Sequence, residues 1–194
     1  MLDRSLEAVV ELAKGGLDVR VVVVFGTHKL ETVSYLTRYA ETFQMVFVYQ
    51  DESFEPGLDG AIRSALPMTR GPVALVLPDI VVTGADTAGV LLAAVRRTEV
   101  SGWSVVATEE RDPDTLQQMG ALAVAEAGGV VTVAAAADKP TDPSGFNAFW
   151  GMVAVTEDEA HRLPDVVGRG VASPLAGAVA LMVEGIVNYN TVAG

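Results

Sequence analysis

A chain of 194 residues, half of them apolar, has the length of one generous domain and can bury a substantial core. With 13 Lys and Arg against 25 Asp and Glu, it carries a formal charge of −12, which argues against nucleic acid or an anionic membrane surface as a partner. It has no cysteine, so disulfides, thiolate metal sites and cysteine nucleophiles are excluded.

Residues 2–14 set Leu2, Leu6, Val9, Val10 and Ala13 on one face at helical spacing, with Gly15-Gly16 as the stop. Acidic residues stand there in place of the basic stretch of a secretory leader. No run approaches the ~20 apolar residues of a membrane span, so a soluble, cytoplasmic protein is expected. "VRVVVVFG" (19–26) reads as a strand buried on both faces of a parallel sheet. Helix 28–43, strand 45–50, helix 56–68 entered through Pro56, strand 73–77, helix 86–98 and strand 103–108 follow. Strict alternation of this kind predicts an α/β fold, Rossmann-like, with a mixed but mainly parallel sheet sandwiched by helices. After residue 119 the pattern changes to two runs around Gly128-Gly129, a hairpin signal. A strand at 147–155, a short helix near 156–162 capped by Thr156 with Glu159, a helix near 174–182 and a strand near 184–189 complete the chain. One domain, 1–194, is expected, with an antiparallel half at 119–194 extending the sheet of 1–118.

Within "VALVLPDIVV" (73–82) a carboxylate, Asp79, follows a proline at the mouth of an apolar strand. In open α/β sheets the ligand crevice lies beyond the carboxyl ends of the parallel strands. A carboxylate there suits a hard cation such as Mg²⁺, which takes one or two protein carboxylates plus phosphate oxygens and water. The competing reading is a turn-forming Asp that caps the next segment.

The order "VYQDESFEPGLDGAIRSAL", "VALVLPDIVVTG", "DKPTDP", "NAFWGMVAV" resembles the sugar-phosphate nucleotidylyltransferases, a family that includes glucose-1-phosphate thymidylyl- and uridylyltransferases. The resemblance runs through essentially the whole chain. It implies that Gln50, Gly57 and Leu58 contact the nucleotide base, that Asp79 binds the catalytic Mg²⁺, and that Lys139, within Asp138-Lys139-Pro140, lies near the sugar phosphate. Gly120 corresponds to the family's glycine before a central hairpin, in the stretch used near the sugar. Trp150 is read either as core or pocket wall or as a surface on which a sugar stacks. Physical sense runs the same way: an amide at a strand end pairs with a base edge, a glycine lets backbone approach it, and a lysine is a point charge for phosphate. The implied reaction takes a nucleoside triphosphate and a sugar 1-phosphate and releases pyrophosphate.

Family members open with a strand and a Gly-rich loop. This sequence opens on the helix that follows them, so the N-terminal strand is expected to be missing, and a homo-oligomer is expected to cover the edge thus left. In "VNYNTVAG" Asn188 stands where the family has a second metal-binding Asp, and Thr191 is kept. The alternative to an active transferase is a catalytically degenerate relative that binds nucleotide or serves assembly. A glycosyltransferase of related architecture would want a second acid two residues after Asp79, where Val81 stands. No strand is followed by G-x-G-x-x-G, against a dinucleotide-binding protein. His28 is read as a helix-start residue, His161 as part of a solvated face, Asp59 as a first-turn carboxylate favoured by the helix dipole, and Gly26, Gly71 and Gly84 as turn glycines.

Overall fold

The computed structural model describes residues 2–26, 30–54, 56–168 and 175–189. Local chemistry sets the element boundaries. Helix α1 (Leu2–Lys14) buries Leu6, Ala8 and Val9, and the chain leaves it through Gly16 at φ +88, a left-handed turn that glycine enters without steric cost. Helices α2 (Leu30–Leu36) and α3 (Leu58–Ala65) follow. At eight residues α3 is too short to persist in water by itself, so its tertiary contacts place it. Helix α4 (Thr87–Ser101) begins at Asp86, whose carboxylate accepts a hydrogen bond from Gly89 N at 3.1 Å, an N-cap for an otherwise unsatisfied donor. Two short helices, α5 (Pro113–Leu116) and α6 (Leu163–Gly168), are the other α-helices among the described residues. No described helix is long and apolar enough to cross a membrane.

Strand β1 (Arg20–Phe25) pairs in parallel with β2 (Gln44–Tyr49). Strand β4 (Ile80–Thr83) pairs antiparallel with β10 (Gly185–Asn188). Among the described residues the main sheet has six strands, in the order β3 (Val73–Val76), β8 (Ala148–Val155), β5 (Trp103–Glu109), β9 (Val179–Met182), β7 (Val130–Asp138) and β6 (Gly120–Ala127). Alternation along β5 and β8 divides the core in two. Val106, Met152 and Ala154 pack with Leu6, Val9 and Leu91 of α1 and α4. On the other face Val105, Val153 and Val155 pack with Ile62, Leu163 and Val166 of α3 and α6. Helices therefore cover both faces of a mixed sheet, the α/β sandwich expected from the alternation.

The expected predominance of parallel pairing is corrected. Among the described strand pairs only β1–β2 and β5–β9 are parallel. The cause is β8, which lies antiparallel between β3 and β5. Those two strands run the same way without being neighbours. The predicted hairpin is present, turning at Gly128 and Gly129 with φ +61 and +78, the pair of positive values that a type I′ turn requires.

Several local readings change. The strand expected at 73–77 is β3, and beyond the turn at Pro78-Asp79 the chain forms a further strand that was not expected, β4, which leaves for β10. The expected helix near 174–182 is instead β9 from Val179 onward, where pairing with β5 overrides local propensity. Helices predicted at 28–43 and 56–68 shorten to α2 and α3, each continued by a 3₁₀ turn, and Pro67 in the second removes a helical donor. The Thr156–Glu159 capping box does not form: Thr156 N donates to Gly102 O at 3.0 Å, and Glu159 accepts from Trp103 Nε1 at 3.1 Å and Arg162 Nη1 at 2.6 Å. The valine run of β1 is half-buried, not covered on both faces. Among the described residues β1 pairs only with β2, and β3 only with β8. His28 and Thr191 lie outside the described residues.

Candidate active site

Asp79 sits in the turn that carries the chain from β3 into β4. Its backbone oxygen accepts from Tyr189 N at 2.9 Å, and the next residue, Ile80, is the register partner of Asn188. Residues 109 positions apart in sequence, 188 against 79, thus stand at adjoining points of two paired strand ends. From the other side Ser5 Oγ of α1 donates to Pro78 O at 3.0 Å, so the turn is held at both flanks.

Gly120, Lys139 and Trp150 converge at the start of β6. Gly120 pairs with Asp138 at the end of β7, and Lys139 N donates to Met119 O at 3.0 Å. Lys139 has φ +46, the one non-glycine residue with positive φ among those described. A left-handed lysine costs conformational energy, and such residues concentrate where function over-determines the backbone. Ala121 pairs with Phe149, which brings Trp150 of β8 against Gly120. A Cβ built on Gly120 would overlap the Trp150 indole nitrogen, so this glycine makes room for the ring. The register of β5 on β8 shifts between Val106 and Ala107, opposite Trp150, an irregularity of the kind that re-aims side chains near sites.

Asn188 joins the two groups: its Nδ2 lies 3.5 Å from Met119 Sδ, and Met119 is the residue whose carbonyl holds Lys139. Met119 was not singled out in the sequence. The only signal was its place immediately before Gly120.

Gln50, Gly57 and Leu58 form a group around the start of α3. Gln50 N donates to Phe25 O at 3.0 Å, extending the parallel pairing by one residue, and its side-chain Nε2 donates to Gly57 O at 3.4 Å. Gly57 has φ +115 with nothing within 4 Å of a Cβ placed on it, so conformation and not crowding requires the glycine. Leu58 is half-buried and packs against the α3–α6 core. Beside them Asp51 is turned onto its own chain: hydrogen bonds from Ser53 hold its carboxyl below the usual aspartate range. Asp59, read from sequence as a dipole partner, also accepts from Arg63 Nε at 2.9 Å. Arg63 Nη2 reaches Asp165 of α6 at 2.7 Å. The i,i+4 half of that triad is legible in sequence; the Asp165 half is not.

Asp79 and Asn188 together offer one carboxylate and one neutral amide. No cluster of three or more His, Cys, Asp or Glu suited to a metal occurs among the described residues. That donor set does not make a protein cage. It fits Mg²⁺ arriving with phosphate oxygens and water, for which one protein carboxylate is sufficient. A cavity of about 280 Å³ lies on the α1 side of β4, lined by Glu7, Glu11, Ile80, Val82 and Asp86 among others, and contains none of the residues expected to bind nucleotide, sugar phosphate or metal.

No protein-family model matches the chain, and no curated protein matches it in sequence. Solved structures do match it in fold. A UDP-glucose pyrophosphorylase from Acinetobacter baumannii aligns over 95% of this chain and 77% of its own, with a TM-score of 0.68 at 15% identity. A UDP-glucose pyrophosphorylase complexed with UDP-glucose aligns over 93% and 79%, with a TM-score of 0.69 at 17% identity. A Bacillus anthracis protein described as a glucose-1-phosphate thymidylyltransferase aligns over 93% and 74%, with a TM-score of 0.68 at 13% identity. The chain therefore has the fold of the sugar-phosphate nucleotidylyltransferases. The resemblance drawn from its motifs and the likeness of its backbone agree on that fold.

Proposed function

We propose that this chain binds a nucleoside triphosphate and a sugar 1-phosphate and transfers the nucleotidyl group to the sugar phosphate. The observation that carries the reading is the link through Met119, which ties the Asp79–Asn188 pair to Gly120, Lys139 and Trp150. Neighbours of the same fold were solved with UTP and with UDP-glucose, ligands of the corresponding kind.

Gln50 and the Gly57–Leu58 backbone meet the base. Lys139 sets an ammonium beside the sugar phosphate, while Trp150, lying over Gly120, forms the sugar floor. Asp79, with Asn188 beside it, would hold Mg²⁺, which when bound neutralises charge on the phosphates. A sugar-phosphate oxygen attacks the α-phosphorus in line; the new P–O bond forms as the bond from that phosphorus to the bridging oxygen breaks and pyrophosphate leaves. No covalent enzyme intermediate is involved, and the residues act by positioning and by charge. The test is pyrophosphate release over a panel of nucleoside triphosphates and sugar 1-phosphates with Mg²⁺, on this chain and on Asp79→Asn. Release for one pair, reduced at least about 100-fold in the variant, supports the reading.

A second reading, a binding module without turnover, is favoured by Asn188, since an amide adds no charge to a site with a single carboxylate. It expects a Mg²⁺-dependent thermal shift with one nucleotide, lost in Asp79→Asn, and no pyrophosphate from any pair. A ligand at 100 times its Kd stabilises by about 2.7 kcal/mol, enough for a clear shift. No shift with any nucleotide would overturn both readings.

A further inference from the structure

We infer that the triad Asp59–Arg63–Asp165 positions the nucleotide-contacting turn, with Arg63 as a positioning residue that acts through the start of α3; this rests on the nucleotide reading of Gln50, Gly57 and Leu58. Helix α3 has eight residues, and its N-cap, Gly57, offers no side-chain cap. An element so short takes its orientation from neighbours. Three sets of bonds supply it. Gln50 Nε2 donates to Gly57 O at 3.4 Å. The Ser64 hydroxyl accepts from Asp51 N at 3.0 Å and donates to Gly60 O at 2.8 Å, fastening the helix to the end of β2. The third is the guanidinium of Arg63, whose Nε holds Asp59 at 2.9 Å and whose Nη2 holds Asp165 at 2.7 Å.

The first two sets lie within residues 50–64, so they move with the strand end and the helix together. Only the third, among these, fixes the helix against an element from the distant part of the chain, 102 residues away. Asp59 immediately follows Leu58, and its side chain is 13% exposed, against 29% for Arg63 and 46% for Asp165. The buried end of the triad is therefore the end beside the ligand turn, where a charged hydrogen bond is least screened. The planar fork of arginine reaches two carboxylates at once, which lysine does not reproduce. Apolar packing of Ile62 on Leu163 and Val166 holds α3 to α6 with or without the ions. Loss of the ion pair should thus tilt the turn without unfolding the helix.

The experiment measures nucleotide Kd by calorimetry with Mg²⁺, using the nucleotide that gives the largest thermal shift, on the wild type, Asp165→Asn, Asp165→Glu and Arg63→Lys. Asp165→Asn and Arg63→Lys should each weaken binding about threefold to tenfold, and Asp165→Glu should restore it to within about twofold, the scale of coupling between charged neighbours. Where turnover is measurable, KM for the nucleotide should rise with kcat nearly unchanged. The thermal midpoint without nucleotide should stay within about 2 °C of wild type in all variants. A wild type that binds with an Asp165→Asn variant of equal Kd overturns the positioning role alone, and so does a loss that Asp165→Glu fails to restore. A wild type that binds no nucleotide overturns it together with the reading on which it rests.

Discussion

Lys139 joins two demands that a single substitution separates. Its ammonium serves the sugar phosphate in the proposed reaction, and its backbone occupies φ +46, where any residue with a Cβ is strained. Lys139→Gly removes the strain and the charge together. We expect its thermal midpoint to equal or exceed wild type, by up to about 1 kcal/mol of added stability, while pyrophosphate release falls. A variant that loses both stability and activity would mean that the side chain is structural. Glu159 behaves differently. The Trp103 indole N–H, and after it Arg162, hold its carboxyl below the ordinary glutamate range. The folded chain therefore takes up that proton less readily than the unfolded chain. The contribution is present above the unfolded value and is lost as pH falls through the folded one. Thermal unfolding of Glu159→Gln should lie below wild type near neutral pH and converge with it in acid; a constant gap would exclude the ionic contribution. Of these two residues Lys139 was legible, because a lysine between Asp138 and Pro140 matched a family motif. The tie from Glu159 to Trp103 was not, since it spans 56 residues and replaces the capping box that local spacing suggests.

At the scale of elements the hairpin and the strand beside it carry the sugar-side group. Gly128-Gly129 announced the turn, and alternation announced β6 and β7. What no pattern announced is that β8 lies against both β5 and β6, so that Trp150 comes to Gly120. Gly120→Ala should force the indole aside, at a cost of about 1–3 kcal/mol for overpacking, and weaken sugar-phosphate binding. The chain has two tryptophans, Trp103 and the less buried Trp150. Tryptophan fluorescence in a Trp103→Phe background would report the displaced ring, and an unchanged spectrum would argue that the Gly120–Trp150 contact is loose. At the start of α4, Asp86→Ala should cost about 1 kcal/mol through loss of the N-cap, read by denaturant unfolding with an unchanged slope.

Across the whole molecule, β1 and β3 each have one strand partner among the described residues, and the valines of β1 are half-buried. Unpaired edges with apolar side chains favour association, so sedimentation over a range of concentrations should find a dimer or larger species. A concentration-independent monomer would mean that these edges are shielded within the chain. The sequence by itself determined the α/β class, the hairpin, the exclusion of cysteine chemistry and Asp79 as a candidate, because periodicity, turn residues and charge act over a few neighbouring positions; Lys139 and Gln50 became candidates through the resemblance of their motifs to a known family. Only the tertiary structure decided that residues 80–83 beyond Asp79 form a strand paired with β10, that residues 179–182 form a strand and not a helix, and that Asn188 meets Met119 while Arg63 meets Asp165. The physical reason is that a strand is stabilised by its partners. Whether β8 runs antiparallel between β3 and β5, or β10 leaves to join β4, depends on backbone hydrogen bonds and side-chain packing between segments as far apart as β4 and β10, which no local pattern encodes.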